Sequence, residues 1–198
     1  MKKGYNPKGL GLFLWGYAKL YAREKNARYL EKIDRIPDLL DELKSRDCTG
    51  NGWGYNFDWQ SRAFFVPKWT PTVVNSAFIG HALLDTWKIT GSKRALDMAL
   101  PIADFILEDL NRREEAGRIC FSYTPLDHYH VHNANLLGAS LLIRLYEMTR
   151  SLEKSIMDVP QSVDRSRDLR VAQDWLDSRR SLPSNVFVGG GNDKGGGG

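Results

Sequence analysis

Two aspartates are the side chains of this sequence best suited to act as a pair. Asp58 closes the run Trp53-Gly-Tyr-Asn-Phe-Asp58, and Asp127 closes Phe121-Ser-Tyr-Thr-Pro-Leu-Asp127. In each run an aromatic, a small residue and a tyrosine precede the acid. Cleavage of a glycosidic bond uses two carboxyls, one protonated and one ionised. Aromatic rings beside them would stack on the apolar face of a sugar and raise a carboxyl's pKa by excluding water. The same aspartates also have a structural reading, because aspartate in a loop commonly caps a helix or binds turn backbone. Trp53, Tyr55, Phe57, Trp59 and Tyr123 are accordingly either a sugar-stacking platform or a plug that fills the mouth of a ring of helices. Arg62, in the first of the two loops, is suited to a bidentate grip on a carboxylate or phosphate, or to a structural pair with a neighbouring acid.

His128, His130 and His132 alternate, so an extended backbone would place them on one face, as metal ligands can be. No fourth ligand is marked by spacing, and no metal site is assigned. An imidazole titrates near neutrality, which makes His132 a third acid/base candidate. His81 stands in an apolar helical run and reads as a hydrogen-bonded core residue. Cys48 and Cys120 have neither metal-site spacing nor the density of a disulfide framework. Reduced thiols and the lack of a secretory pattern give a cytoplasmic expectation. The chain holds no Gly-x-Gly-x-x-Gly after a strand, no phosphate-binding Gly-Lys-Ser/Thr loop, no nucleophile elbow and no Asp-x-Asp-Asp. No cofactor is therefore expected, and no membrane span. The net charge of +4 is concentrated in residues 1–30, where Lys2, Lys3, Lys8, Lys19, Arg23, Lys25 and Arg28 face Glu24 alone. Such an end can attract an acidic polymer, but a solvated helix end is the preferred reading, and no nucleic-acid partner is assigned.

The elements that would carry these residues form a repeat. Asn75, Gly80, Leu83 and Leu84 recur as Asn133, Gly138, Leu141 and Leu142, a period of roughly sixty residues that fits one helical hairpin per unit. Asn6-Pro7 and Thr70-Pro71 both read as a cap followed by a first-turn proline, and Ser92 as a third cap. Gly91 supplies a helix stop. Pro37 should kink or divide the second helix, and Pro101 stands at the matching place in the fourth. The first, third and fifth helices are apolar nearly all round, while the second and fourth are one-sided. Two concentric layers of helices would show this alternation, with inner helices buried on more than one side. The expected class is all-α, a partial α/α toroid of about three hairpins.

With these residues assembled, the sequence resembles the six-hairpin (α/α)-toroid superfamily. The resemblance rests on Trp53-Gly-Tyr-Asn-Phe-Asp-Trp-Gln-Ser-Arg62, Thr70-Pro-Thr-Val-Val-Asn-Ser-Ala-Phe78, Cys120-Phe-Ser-Tyr-Thr-Pro125 and Val131-His-Asn-Ala-Asn135. More narrowly, it is similar to prokaryotic proteins encoded among polysaccharide-biosynthesis genes. Some of these carry the label delta-aminolevulinic acid dehydratase, a β/α barrel that does not fit a chain lacking strand–helix alternation. The resemblance implies carbohydrate processing by a glycoside hydrolase, polysaccharide lyase or uronate epimerase-like activity, or else glycan or protein binding without turnover in a polysaccharide-assembly complex. The implied partner is an oligo- or polysaccharide, either neutral or acidic. His132 and Asn133 lie where the likeness is strongest, as a catalytic and a substrate-binding candidate respectively. The likeness covers about residues 10–150. Residues 151–181 match poorly, although Leu169, Val171, Ala172, Trp175 and Leu176 suit a sixth helix, and residues 182–198 read as a flexible glycine-rich tail. Three hairpins cannot close a ring, so the expectation is an incomplete chain, or one whose last forty-odd residues are foreign to the rest.

Overall fold

The first helix begins where a capping side chain meets a proline. Asn6 Oδ1 accepts the Gly9 amide at 3.1 Å, and Pro7 opens α1 (Pro7–Glu24). A computed structural model describes residues 4–61, 64–115 and 118–157 of this chain. Lys25, in the left-handed conformation, ends α1 and turns the chain into α2 (Arg28–Glu42). Of the kink or division expected at Pro37, the division does not occur: α2 runs continuously through Pro37, which is buried with Ile33, Ile36 and Leu40 on its inward face. The third helix starts later than Thr70-Pro71 suggests. Thr72 is its cap, with Oγ1 accepting the Asn75 amide at 3.1 Å, and α3 spans Val73–Thr90. Gly91, at φ 74°, stops it as expected. Ser92 caps α4 (Lys93–Ala99), and here a proline does break the helix. The chain passes Pro101 into the short α5 (Ile102–Asp104) and a π-turn at Phe105–Asp109.

The long loops contain small ladders that the sequence pattern did not show. In the first, β1 (Trp59–Gln60) pairs antiparallel with β2 (Phe65–Val66). In the second, β3 (Arg112–Glu115) pairs antiparallel with β4 (Arg118–Phe121). The last described element, α6 (His132–Met157), continues seven residues beyond the composition change at Arg150. The expected sixth helix and glycine-rich tail, and Arg62, lie outside the described residues.

The described chain is mostly helical, which places it in the all-α class. The central element is α3, flanked by α1 and α6, with α2 packed on α1 and α4 packed on α3. Eleven of its eighteen residues are buried, including Ala77, Ile79, Ala82, Leu83 and Leu84. An ion pair between Arg94 and Asp38 ties α4 to α2. The glycines that recur between the repeats share one physical role. A Cβ on Gly80 would lie 2.6 Å from Leu141 of α6, and one on Gly138 would lie 2.8 Å from Val73 of α3. Each glycine lets the other helix approach closely. Of the basic N-terminal residues, Lys8 lies over the Phe78 ring, Lys25 over Tyr21, Lys19 pairs with Asp85 and Arg23 with Glu24. Much of that positive charge is engaged by the fold itself. Among the described residues no helix is long and apolar enough to cross a membrane.

The break at Pro101 fixes the first loop. Its carbonyl accepts the Asn51 amide at 3.0 Å in addition to the Phe105 amide at 3.4 Å, while Asn51 Nδ2 donates to Met98 O at 2.9 Å. Gly50 passes so close that a Cβ would sit 1.9 Å from Pro101 O. Gly50→Ala is therefore expected to destabilise the protein by about 1–3 kcal/mol, because the loop must move off α5 rather than a side chain rotate away. A thermal melt should show a loss of a few degrees, and an unchanged melt would contradict this packing.

Candidate functional site

The two loops meet over the start of α3. Val73 N donates to Tyr123 O at 3.0 Å, and Thr72 N donates to Trp53 O at 3.0 Å, so both loops are pinned to the same helix entrance. From there the first loop turns outward as the β1–β2 hairpin, and its rings join those of the second loop. Trp59 lies 5.7 Å from Tyr123 and 5.8 Å from Phe64, centroid to centroid. Phe64 stands 5.4 Å from Tyr123 and stacks on Tyr129 at 5.1 Å. Tyr55 stacks on Phe57 at 5.2 Å and reaches Trp59 at 6.0 Å. These distances suit offset and edge-on aromatic contacts. Tyr123 is buried beneath the cluster; burial, reinforced by its hydrogen bond with Tyr55, pushes its phenol well above the ordinary tyrosine range. Tyr55, Phe57, Trp59 and Phe64 are half-buried, and Tyr129 is exposed, so the cluster presents ring surface to solvent.

Trp53 is placed differently from the other rings. It is fully buried, and its indole N–H donates to Leu40 O at 2.7 Å. Its ring belongs to the core between α2 and α3 and offers no face to a ligand in this structure.

The two aspartates are also unlike each other. Asp127 is 8% exposed, and both of its carboxylate oxygens are occupied. Oδ1 accepts from Tyr123 N (3.2 Å) and Tyr129 N (3.0 Å), and Oδ2 from Thr124 N (2.8 Å) and Thr124 Oγ1 (2.6 Å). That is the loop-binding role the sequence offered as the alternative to catalysis. Asp58 is exposed, and its Oδ1 accepts the Lys68 amide at 2.7 Å across the first hairpin. His132 and Asn133 are exposed at the N-terminus of α6, and neither they nor His128 and His130 join the aromatic cluster through a ring contact or hydrogen bond among the described residues. No group of three or more His, Cys, Asp or Glu among the described residues is arranged to hold a metal ion. Cys48 and Cys120 are free, and burial raises the pKa of both thiols.

Beside the aromatic hairpin lies a groove of about 540 Å³, within the usual size range for small-molecule sites. Its walls are the end of α2 with the residues after it, the turn Lys68–Pro71, and Pro125–Leu126 of the second loop. Trp69, on this wall, has φ 66°, a left-handed conformation unusual for a bulky residue. It is held there by its amide donating to Tyr55 O (2.8 Å) and by Ser45 Oγ donating to Trp69 O (2.8 Å). The Lys68 ammonium lies over the Trp69 ring, 5.2 Å from its centroid. Nothing in the sequence pattern marked this groove, because a positive φ at Trp69 leaves no trace in residue type.

A second polar constellation was missed for a different reason. Asp85 of α3 accepts from Trp15 Nε1 (2.7 Å) and Lys19 Nζ (2.7 Å) of α1 and from the Arg144 guanidinium of α6. Arg144 also donates to His81 Nδ1 at 2.7 Å, which fixes the neutral tautomer with hydrogen on Nε2. Burial works to raise the Asp85 pKa, but the bonds from Lys19, Trp15 and Arg144 prevail and hold it at about 2. Burial, helped by the Arg144 charge, lowers His81 to about 4. A lone acid in the apolar third helix and an arginine set between Ile143 and Leu145 in the apolar fifth were the available signal, since such charges must find partners. This network joins three helices and lies away from the loop residues that form the cluster.

The fold and site thus define an all-α chain of packed helical hairpins whose two long loops build an aromatic cluster and an adjoining groove. No protein-family model matches the chain, and a comparison with curated proteins finds no match.

Proposed function

We propose that this chain is a segment of an α/α toroid that holds a saccharide against the aromatic loop face. The observation that carries the reading is the convergence of Tyr55, Phe57, Trp59, Phe64, Tyr123 and Tyr129 from both loops into one partly open cluster. Ring faces of this kind bind the C–H faces of sugars while nearby polar groups fix the hydroxyls. The flanking of α3 by α1 and α6, with α2 and α4 outside, supports the toroid assignment. Binding without turnover is the better supported form of the reading, because Asp127 has both oxygens committed to loop donors.

Hydrolysis is a second reading, favoured by the exposure of Asp58 at the base of the same hairpin. It requires a partner acid that Asp127, in this conformation, is not free to be. The test is calorimetric titration of neutral and acidic oligosaccharides into the wild type and Trp59→Ala. We expect Trp59→Ala to weaken binding about five- to tenfold, the loss of a stacking contact worth roughly 1–1.5 kcal/mol, with a small change in melting temperature. Undiminished binding would remove the aromatic face as the site. If turnover is found, Asp58→Asn should abolish it without lowering the melting temperature; unchanged turnover would exclude Asp58 as the acid or base.

A further inference from the structure

We infer that the groove beside the hairpin is the anion-recognition part of this site, taking a sugar ring that bears a carboxylate or a phosphate. The inference rests on the saccharide-binding reading above and adds a ligand class to it. Three features of the groove combine. Lys44, Arg46 and Lys68 bring positive charge to one concavity. Lys44 is already paired with Asp41 at 3.3 Å, but Arg46 and Lys68 have no carboxylate within 4.0 Å among the described residues. A guanidinium and an ammonium left without a protein counter-ion in a concave site are available for a ligand's anion, and the guanidinium matches carboxylate or phosphate in bidentate fashion. Trp69 supplies a ring next to that charge, and its strained backbone keeps the ring beneath the Lys68 ammonium.

The groove also contains Glu42 and Asp47, and these decide between a simple anion and a polyhydroxylated one. Two carboxylates would repel a bare phosphate or carboxylate, yet they are good acceptors for sugar hydroxyl hydrogens. Charge of both signs with an aromatic face therefore suits a ligand that is part anion, part polyol and part apolar ring face. The groove is continuous in sequence with the proposed saccharide face. Lys68 N is bonded to the Asp58 carboxylate, Trp69 N to Tyr55 O, and Pro125–Leu126 follow Tyr123 closely. One oligosaccharide can therefore contact both through the same two loops.

The test titrates the full chain with cellotriose, tri-galacturonate, glucose 1-phosphate and inorganic phosphate, at low and high salt. We expect an acidic sugar to bind about tenfold or more tighter than cellotriose at low salt, with the advantage shrinking as salt rises. The double variant Arg46→Ala/Lys68→Ala, at two exposed positions, should erase that advantage and leave cellotriose binding unchanged. Preference for tri-galacturonate would identify the carboxylate as the recognised group, and preference for glucose 1-phosphate the phosphate. Equal binding of neutral and acidic sugars would overturn the inference and leave the saccharide reading standing. Inorganic phosphate binding as tightly as the sugars would also overturn it, and absence of binding by every sugar would remove both. If the double variant does not fold, the salt dependence of the wild type still decides, since a preference indifferent to salt contradicts an ion-pair site.

Discussion

Trp53→Ala is expected to reduce stability by about 3–5 kcal/mol, the range for truncating a large buried aromatic. A domain of this size has about 5–15 kcal/mol in all, so the variant should lie at the edge of folding at room temperature. The reasoning follows from position. Trp53 is fully buried, its amide donates to Ser76 Oγ at 3.1 Å, and its indole N–H donates to the Leu40 carbonyl of α2. Truncation leaves a cavity at the junction of α2, the first loop and α3, and it leaves Leu40 O without its side-chain partner. Trp53→Phe separates the two contributions. It retains most of the apolar volume but loses the hydrogen bond, and should cost about 1–2 kcal/mol. Circular dichroism melts of the three proteins would show a large, a small and no shift in that order. Had Trp53 been a sugar platform, truncation would leave the melt in place and remove binding instead. A Trp53→Ala variant with wild-type stability would require the core to be rebuilt around a different residue.

The contrast between Trp53 and Trp59 shows how far the sequence was legible. Both stand in one aromatic loop at alternate small and polar neighbours, and residue type does not distinguish them. What separates them is the tether at Pro101, which draws Gly50 and Asn51 onto α5 and so directs Trp53 inward while the β1–β2 hairpin carries Trp59 outward. That tether is a long-range contact, invisible to local pattern. The helices were legible because their signals are local: the Asn6 and Ser92 caps, the Gly91 stop and the apolar faces all form as their residue types suggest. The third helix begins at Thr72 rather than Thr70 because Thr70 and Pro71 are used in the turn and groove wall that follow Trp69. Pro37 leaves α2 unbroken where Pro101 ends α4, and both residues look alike in sequence. The difference lies in the surroundings: at Pro101 the first loop supplies Asn51, whose amide and side chain bond the Pro101 and Met98 carbonyls and offset the break in the helix. Asp127 was half legible. Its type and place fit either a catalytic acid or a loop anchor, and only the four donors around it choose the anchor.

Removing Asp85 is the second large effect we expect. Asp85→Ala should reduce stability by about 3 kcal/mol, toward the lower end of the range for breaking a buried pair because Lys19 is largely exposed. The side chain is only 13% exposed and receives Trp15, Lys19 and Arg144 at once, so its loss leaves an indole N–H without its acceptor and the Arg144 guanidinium without its counter-ion. The pH dependence of the wild type tests the same network independently. His81 has a folded pKa of about 4, below the ordinary 6.5, so between those values the unfolded chain binds the proton and the folded one does not. Its contribution is present above about pH 6.5 and is lost as pH falls toward 4. Asp85 has a folded pKa of about 2 against an ordinary 3.8, so its contribution is present above about 3.8 and is lost as pH falls through 2. Wild-type stability should therefore fall in two stages on acidification, the first over the histidine window and the second over the carboxylate window. Asp85→Ala should abolish the second stage. The first stage should persist and reach to lower pH, because the Asp85 charge raises the His81 pKa and its removal lets Arg144 depress that pKa further. Denaturant melts of both proteins from pH 7 to pH 2.5 would measure this directly. A variant that kept the second stage would show that the acid sensitivity comes from other carboxylates, and that Asp85 does not hold the three helices together in the way its bonds imply.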